Sequence, residues 1–323
     1  MNPLPYDRAL LEGLKAYPPG GYETFEQIRS QAMHFSGELV LENCPEYNST
    51  DYTLPGPEDN PNGSIILTVF KLKNSTGRNL PACYHVHGGG QIAGNRWAGM
   101  QTIFVWFKGI DMVHVTVEYR LAPEHPAPAA LNDSYAGLVW TADHANELGI
   151  DLSKLMIQGT SGGAPIAAGC AIKSRNLKYP KLCAQLLSTP MLDDRGISVS
   201  ANQYYNYGPW SGKINSVAWD CVLGEQRNGA NVSELVAPAR ATDLANLPPA
   251  FIDVGESEVF RDEAVSFAST LWKSGVSTEL HVWPGAFHGF DIMAPNAPVS
   301  LCATAAKQRW IKRLFGIEEK LES

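Results

Sequence analysis

The chain has 323 residues, 44% of them hydrophobic, and a formal net charge of −8. That is enough apolar material for a sizeable core in one α/β domain, and the acidic balance argues against nucleic acid or an anionic membrane as the main partner. No run of about 18 uninterrupted apolar residues occurs, so no membrane span is expected. The start, Met1-Asn-Pro-Leu-Pro-Tyr-Asp-Arg8, lacks a basic stretch followed by an apolar core, so no secretory signal is read and the expected compartment is the cytoplasm.

In chain order, residues 7–17 put Leu10, Leu11 and Leu14 on one helical stripe. A second helix opens at Thr24, with Gln27 completing a capping box and Phe25, Ile28, Ala32 and Phe35 sharing one face. A strand over 65–72 and another ending at Val86 read as a hairpin-like start to a sheet, joined through residues 74–79. A β-rich run over 112–119 precedes a helical pattern over 129–147. Further strands are expected at Leu155, over 183–187, at Ala250 and at Thr278, each followed by a helical segment. This alternation predicts a mostly parallel sheet covered by helices on both faces. Residues 192–240 interrupt it with no strong strand, and no internal repeat or low-complexity tract is present.

The chemistry concentrates at strand ends. Gln158-Gly-Thr-Ser-Gly-Gly-Ala164 follows the apolar run Leu155-Met-Ile157 and fits the GxSxG strand-turn-helix elbow, which makes Ser161 the candidate nucleophile; an ordinary glycine-rich turn is the alternative. A hydroxyl needs a histidine to take its proton and a carboxylate to hold that histidine, and in this elbow the chain order is serine, acid, histidine. Downstream lie a carboxylate-rich loop after the strand at Ala250 and then His288 after the strand at Thr278. Upstream, Gly88-Gly89-Gly90 after a buried strand offers backbone N–H groups for the oxyanion of a tetrahedral intermediate. Gly88-x-Gly90-x-x-Ala93 also fits a looser dinucleotide fingerprint, but Asn95-Arg-Trp-Ala-Gly-Met100 is a poor helix opening and that reading leaves the serine and histidine motifs unexplained.

Five motifs together, HGGG at 87–90, Tyr119-Arg-Leu-Ala-Pro-Glu-His-Pro126, the serine elbow, Pro190-Met-Leu-Asp-Asp-Arg195 and FHGF around His288, resemble the hormone-sensitive-lipase-like branch of the α/β-hydrolases. The resemblance implies an α/β-hydrolase core over 46–191 and 241–323, with a helical cap formed by 1–45 and 192–240. It implies Ser161 as nucleophile, His288 as general base, and the N–H groups of Gly88, Gly89 and Gly162 as oxyanion donors. Where the family commonly has Asp-x-Leu-x-Asp-Glu, this chain has Glu258-Val-Phe-Arg-Asp262-Glu263, a register that makes Glu258 the acid and Glu256 the runner-up. Three departures stand out: Thr160 and Gly162 replace the usual Asp and Ala beside the serine, and Gln91 stands where a large aromatic often follows the glycines.

Gln91 and Trp97, close after those glycines, are candidate substrate contacts, as are Tyr204, Tyr207 and Trp210 if the cap aromatics, Tyr205 and Trp219 among them, face the pocket instead of packing the lid. His87 is expected to hold the glycine loop and His125 to be structural. The remaining histidines lack metal spacing, so no metal or organic cofactor is implied. Cys44, Cys83, Cys170, Cys183, Cys221 and Cys302 show no CxxC and read as reduced thiols; the sequons at Asn48, Asn74 and Asn231 read as chance. The expected function is hydrolysis of small to medium, partly apolar carboxylic esters through an acyl-enzyme. A lactone or amide hydrolase with the same residues is the alternative, and a non-catalytic small-molecule receptor on the same fold is a further one. Homodimerisation is left open.

Overall fold

The computed structural model describes residues 2–15, 22, 24–32, 35–227 and 229–317. Its strands are β1 (Tyr47–Pro55), β2 (Ser64–Leu72), β3 (Leu80–Val86), β4 (Val113–Glu118), β5 (Ile150–Thr160), β6 (Ala184–Ser188), β7 (Ala250–Gly255) and β8 (Thr278–Trp283). They form one sheet in the order β1-β2-β4-β3-β5-β6-β7-β8. Pairing is antiparallel for β1/β2 and β2/β4 and parallel from β4 to β8. The helices used below are α1 (Phe25–Ala32), α2 (Gly37–Asn43), α3 (Met100–Trp106), α4 (Ala129–Asp143), α5 (Gly163–Leu177), α6 (Val199–Gln203), α7 (Gly212–Leu223), α8 (Arg261–Lys273), α9 (Phe290–Met293) and α10 (Pro298–Leu314).

The period-2 geometry of a strand explains how one run feeds two cores. Along β3, Ala82, Tyr84 and Val86 join a cluster with Leu138 of α4 and Ala167 of α5, while Cys83 joins Phe104, Trp106, Trp310 and Ile311 on the opposite face. Leu155 and Ile157 of β5 divide from Met156 in the same way. Every residue of β6 and β7 is buried, as in parallel strands covered on both faces, and Gln185, Ser188 and Asp253 are the polar side chains among them.

The hairpin expected between the strand at 65–72 and the strand ending at Val86 does not form, because β4 lies between β2 and β3. The hairpin is β1–β2, closed by Gly56 N–H donating to the Gly63 carbonyl at 2.9 Å. Strand β1 escaped notice because it is an edge strand whose only buried side chains are Tyr47 and Leu54, leaving no apolar alternation to read. Near the N-terminus a 3-10 turn (Arg8–Leu10) runs into a short helix (Leu11–Leu14) in place of one continuous stripe. The tighter turn sends Leu10 inward against Phe287 and Phe290 and leaves Leu11 46% exposed; residues 16 and 17 of the expected helix lie outside the described residues.

The capping box is present: Thr24 N–H donates to Gln27 Oε1 at 3.3 Å and Gln27 N–H to Thr24 Oγ1 at 3.4 Å. Ile28 of α1 packs into the main core beside Trp210 and Trp219, so α1 meets the 192–240 segment; the side chain of Ala32 is outside the described residues. That segment holds α6 and α7 and, among the described residues, no strand. The helical pattern over 129–147 divides at His144 into α4 and a one-turn helix (Ala145–Leu148). Among the described residues no helix is long and apolar enough to cross a membrane.

Candidate active site

Strand β5 ends at Thr160 and α5 begins at Gly163, which leaves Ser161 at the apex with φ of 53°, a left-handed conformation that a non-glycine residue holds only when its surroundings impose it. The Ser161 N–H donates to the Ser188 carbonyl at 2.9 Å, tying the elbow to the end of β6. A Cβ on Gly163 would stand 2.2 Å from the Val86 carbonyl oxygen, and one on Gly159 would stand 2.5 Å from the Gly163 carbonyl oxygen, so the flanking glycines are steric requirements of the turn.

Ser161 Oγ lies 2.9 Å from His288 Nε2, and His288 Nδ1 lies 2.7 Å from Glu258 Oε2. The three residues reach this contact from the loops after β5, β7 and β8, at the carboxyl ends of parallel strands on one side of the sheet order. Glu258 is 2% exposed, and its second oxygen accepts the Gly255 N–H at 2.9 Å, so the carboxylate is oriented by its own loop. The Phe260 ring meets the imidazole edge-on at 5.2 Å. Glu256 turns elsewhere and accepts the Gly285 N–H at 3.0 Å. Asp262 accepts from Ser200 N–H and pairs with Arg261. Buried Glu263 accepts the Leu192 N–H at 2.6 Å, and burial holds its carboxyl well above the usual range.

The glycine loop approaches the elbow closely. A Cβ on Gly88 would lie 3.3 Å from Ser161 Cβ, and one on Gly162 would lie 2.4 Å from the Gly90 nitrogen and 2.5 Å from its Cα. The glycine at 162, where the family usually carries alanine, is therefore what lets the two backbones come together. His87 Nδ1 lies 2.8 Å from the Gly88 carbonyl oxygen, its ring stacks on Tyr119 at 4.1 Å, and the Tyr119 hydroxyl donates to the His87 carbonyl. Burial lowers the His87 pKa to about 4, so at neutral pH the ring is uncharged and its Nδ1–H donates to Gly88. Thr160, the other departure, accepts from Gln158 Nε2 at 2.7 Å, and Gln158 Oε1 accepts in turn from His85, whose pKa burial also lowers to about 4.

Beside Ser161 opens a cavity of about 270 Å³. Its lining runs from buried Ile103 and Trp106 to Phe35, which is 43% exposed, and also includes Tyr22, Ile28, Thr102, Trp210 and Met293. Trp210 is the one sequence-chosen substrate contact in this lining, with its ring 6.2 Å from that of His288. Gln91 stands outside it: with φ of 62° its buried side chain turns toward Ala127, Pro128 and Leu131. Trp97 packs edge-on to Phe70, under Arg96 and against Gly37. Tyr204 is fully buried with its hydroxyl accepting the Leu4 N–H at 2.9 Å, and Tyr207 is 52% exposed, away from the cavity. Proximity in sequence to the glycines does not decide the lining: Ala93, Gly94, Ala98 and Gly99 of the same stretch line the cavity, whereas the side chains of Gln91 and Trp97 pack elsewhere.

A model of a family described as having the alpha/beta hydrolase fold matches residues 83–292, well over half of the chain. Esterase LipI of Mycobacterium tuberculosis is 30% identical over 278 residues, covering 80% of each chain, and carboxylesterase NlhH of the same species is 34% identical over 243 residues, covering 73% of this chain and 74% of its own. The solved structure titled bacterial heroin esterase superposes with a TM-score of 0.89 at 31% identity, over 97% of this chain and 98% of that one. With this fold, this elbow and these relatives, the chain belongs to the α/β-hydrolase family, in its hormone-sensitive-lipase-like branch.

Proposed function

We propose that the protein is a carboxylesterase-type serine hydrolase that cleaves small to medium, partly apolar esters. The observation that carries the reading is the unbroken chain from Ser161 Oγ through His288 to Glu258, with both links at 2.9 Å or less and a cavity opening on the serine. Ser161 Oγ attacks the ester carbonyl carbon while His288 Nε2 takes the hydroxyl proton, and Glu258 stabilises the resulting imidazolium. The negative oxygen of the tetrahedral intermediate is received by the N–H groups of Gly88, Gly89 and Gly162. The intermediate collapses as His288 returns the proton to the leaving alcohol, and water, deprotonated by the same imidazole, then releases the acid from Ser161. The names of the relatives, esterase and carboxylesterase, support the same chemistry.

The helices before residue 45 and those between 192 and 240 act as a two-part cap, a reading supported by Ile28, Phe35 and Trp210 meeting over the cavity. Six unpaired cysteines support a reducing, cytoplasmic setting, and the net charge of −8 supports a partner that is neither nucleic acid nor an anionic surface. The open edge of β8 offers a second copy backbone groups to pair with. The test is hydrolysis of p-nitrophenyl esters from acetate upward by wild type and Ser161→Ala. Turnover is expected in the first and a loss of roughly 10⁴-fold or more in the second; a wild type inert on every ester overturns the proposal and leaves lactones and amides to be tried.

A further inference from the structure

Behind the cavity, and unused by the mechanism above, the fully buried Lys307 ammonium of α10 pairs with two buried carboxylates, Asp253 and, at 3.3 Å, Asp291. Asp253 belongs to β7, five residues before Glu258; Asp291 belongs to α9, three residues after His288, and lines the cavity. Trp283 Nε1, at the end of β8, also donates to Asp253 at 3.1 Å, and Lys307 Nζ lies 4.7 Å from the ring centroid of Trp106 in the cavity floor. One cation thus touches the strand leading to the acid loop, the turn that follows the histidine and an aromatic of the pocket.

Stability alone accounts poorly for such a cluster. Taking charges out of water costs several kcal/mol per ion, and well-packed apolar residues often do as well or better in their place. Burial lowers the Lys307 pKa, and the two carboxylates more than offset it, so the pKa is raised and the ammonium stays charged. Asp253 Oδ1 has no partner among the described residues, so the pairing is incomplete as well as buried. What an ionic centre adds over an apolar one is direction. The acid and histidine loops are also joined directly, by Glu256 Oε2 accepting Gly285 N–H and by Ser257 N–H donating to the Ala286 carbonyl.

We propose that Lys307 is a positioning residue for ester hydrolysis: through Asp253 and Asp291 it clamps the acid loop to the histidine loop and so fixes the approach of His288 to Glu258 and Ser161. The proposal rests on the esterase reading for its kinetic arm only, because the downfield proton resonance of a histidine–carboxylate hydrogen bond is recorded without substrate. A displacement of about 1 Å at reacting groups can cost about a hundredfold in rate, so Lys307→Met is expected to lower kcat on p-nitrophenyl acetate by about that factor, with KM nearly unchanged and the resonance shifted or broadened. Asp291→Ala cuts only the histidine-side link, leaves Lys307 paired with Asp253, and is expected to cost roughly tenfold in kcat. Asp291→Asn keeps an acceptor for Nζ and is expected to restore most of that loss.

If Lys307→Met does not fold, the Asp291 pair decides alone. The clamp is overturned if folded variants keep kcat within twofold with the resonance in place, if only KM moves, which would make Asp291 a plain wall residue, or if thermal stability falls while turnover per folded molecule does not. A wild type without turnover but with the resonance present and lost in Lys307→Met would sink the esterase reading and keep the clamp.

Discussion

Ser161 and Glu258 are 6% and 2% exposed, whereas Phe35, across the same cavity, is 43% exposed. The reacting side is held by backbone: Ser161 by the Ser188 carbonyl, Glu258 by Gly255 N–H, the glycine loop by His87 and Tyr119. The wall around Phe35 is held, among the described residues, by side-chain ties. Arg29 of α1 donates to the Ile92 and Ala122 carbonyls and pairs with Glu124, and Asn95 donates to the Phe35 carbonyl. The difference separates two jobs. Atoms that must meet within tenths of an ångström sit at strand ends with their partners buried, while the wall that meets variable parts of a substrate lies on segments that can change without disturbing them.

The largest break in this comparison is expected at Glu258, the proposed acid. In Glu258→Gln the amide oxygen can keep the Gly255 N–H, which leaves the NH₂ facing His288 Nδ1 and forces the imidazole into the wrong tautomer; a loss of about 10⁴-fold in kcat is expected. Glu256→Gln should stay within a few-fold, since the amide oxygen still accepts Gly285 N–H. Steady-state kinetics of the pair decide between the two glutamates, and the reverse order of effects would transfer the role to Glu256. Next comes Gly162→Ala, which introduces a methyl 2.4 Å from the Gly90 nitrogen. Pushing the glycine loop off the elbow should cost on the order of 10²-fold in kcat, the price of one lost oxyanion donor; an unchanged kcat would mean that the loop has slack the steric distances deny.

How far the chain could be read in advance follows the same division. The elbow, the glycine loop and the loops carrying Glu258 and His288 are each short local patterns, and the parallel sheet brings residues 161, 258 and 288 together although Ser161 and His288 are 127 positions apart. The cavity wall was not legible, because Tyr22, Phe35, Thr102 and Trp106 are brought together by packing that no spacing records. Two further signals stand in the sequence. Asp291 stands three residues beyond His288. Lys307 interrupts the apolar stripe Ala303, Ala306, Trp310 and Ile311 of α10, where a charged residue needs a buried partner.

The reacting side should also carry a signature in stability. His87 has an unfolded pKa near 6.5 and a folded value of about 4, so the unfolded chain binds more protons as pH falls through that interval. The sign is therefore loss of stability on acidification, about 2 kcal/mol from this group between pH 7 and pH 5. His85, also lowered to about 4, acts in the same direction, whereas Glu263, raised by burial, acts in the opposite one. The His87 share is isolated as the difference between wild type and His87→Asn in urea unfolding at the two pH values. Equal pH dependence in both proteins would show that His87 is not held neutral against Gly88.

The smallest effect is expected at the wall around Phe35, and it tests whether the two jobs are separable. A buried pocket residue changes discrimination by roughly 10- to 200-fold for each methylene it recognises. Phe35 is too exposed to reach that upper range, so Phe35→Ala should lower kcat/KM by about tenfold for esters long enough to touch it. Acetate and methyl esters, which fill only the space beside Ser161, should be unaffected, and kcat on p-nitrophenyl acetate should stay at the wild-type value. Running both an acyl-length and an alcohol-length series also shows which half of the ester lies along Phe35, because only that series should bend. If acetate turnover falls with the rest, that wall is mechanically coupled to the triad and the separation fails. If neither series responds, the substrate leaves Ser161 along Thr102, Ile103 and Trp106, and Ile103→Phe becomes the substitution that should shorten the accepted chain.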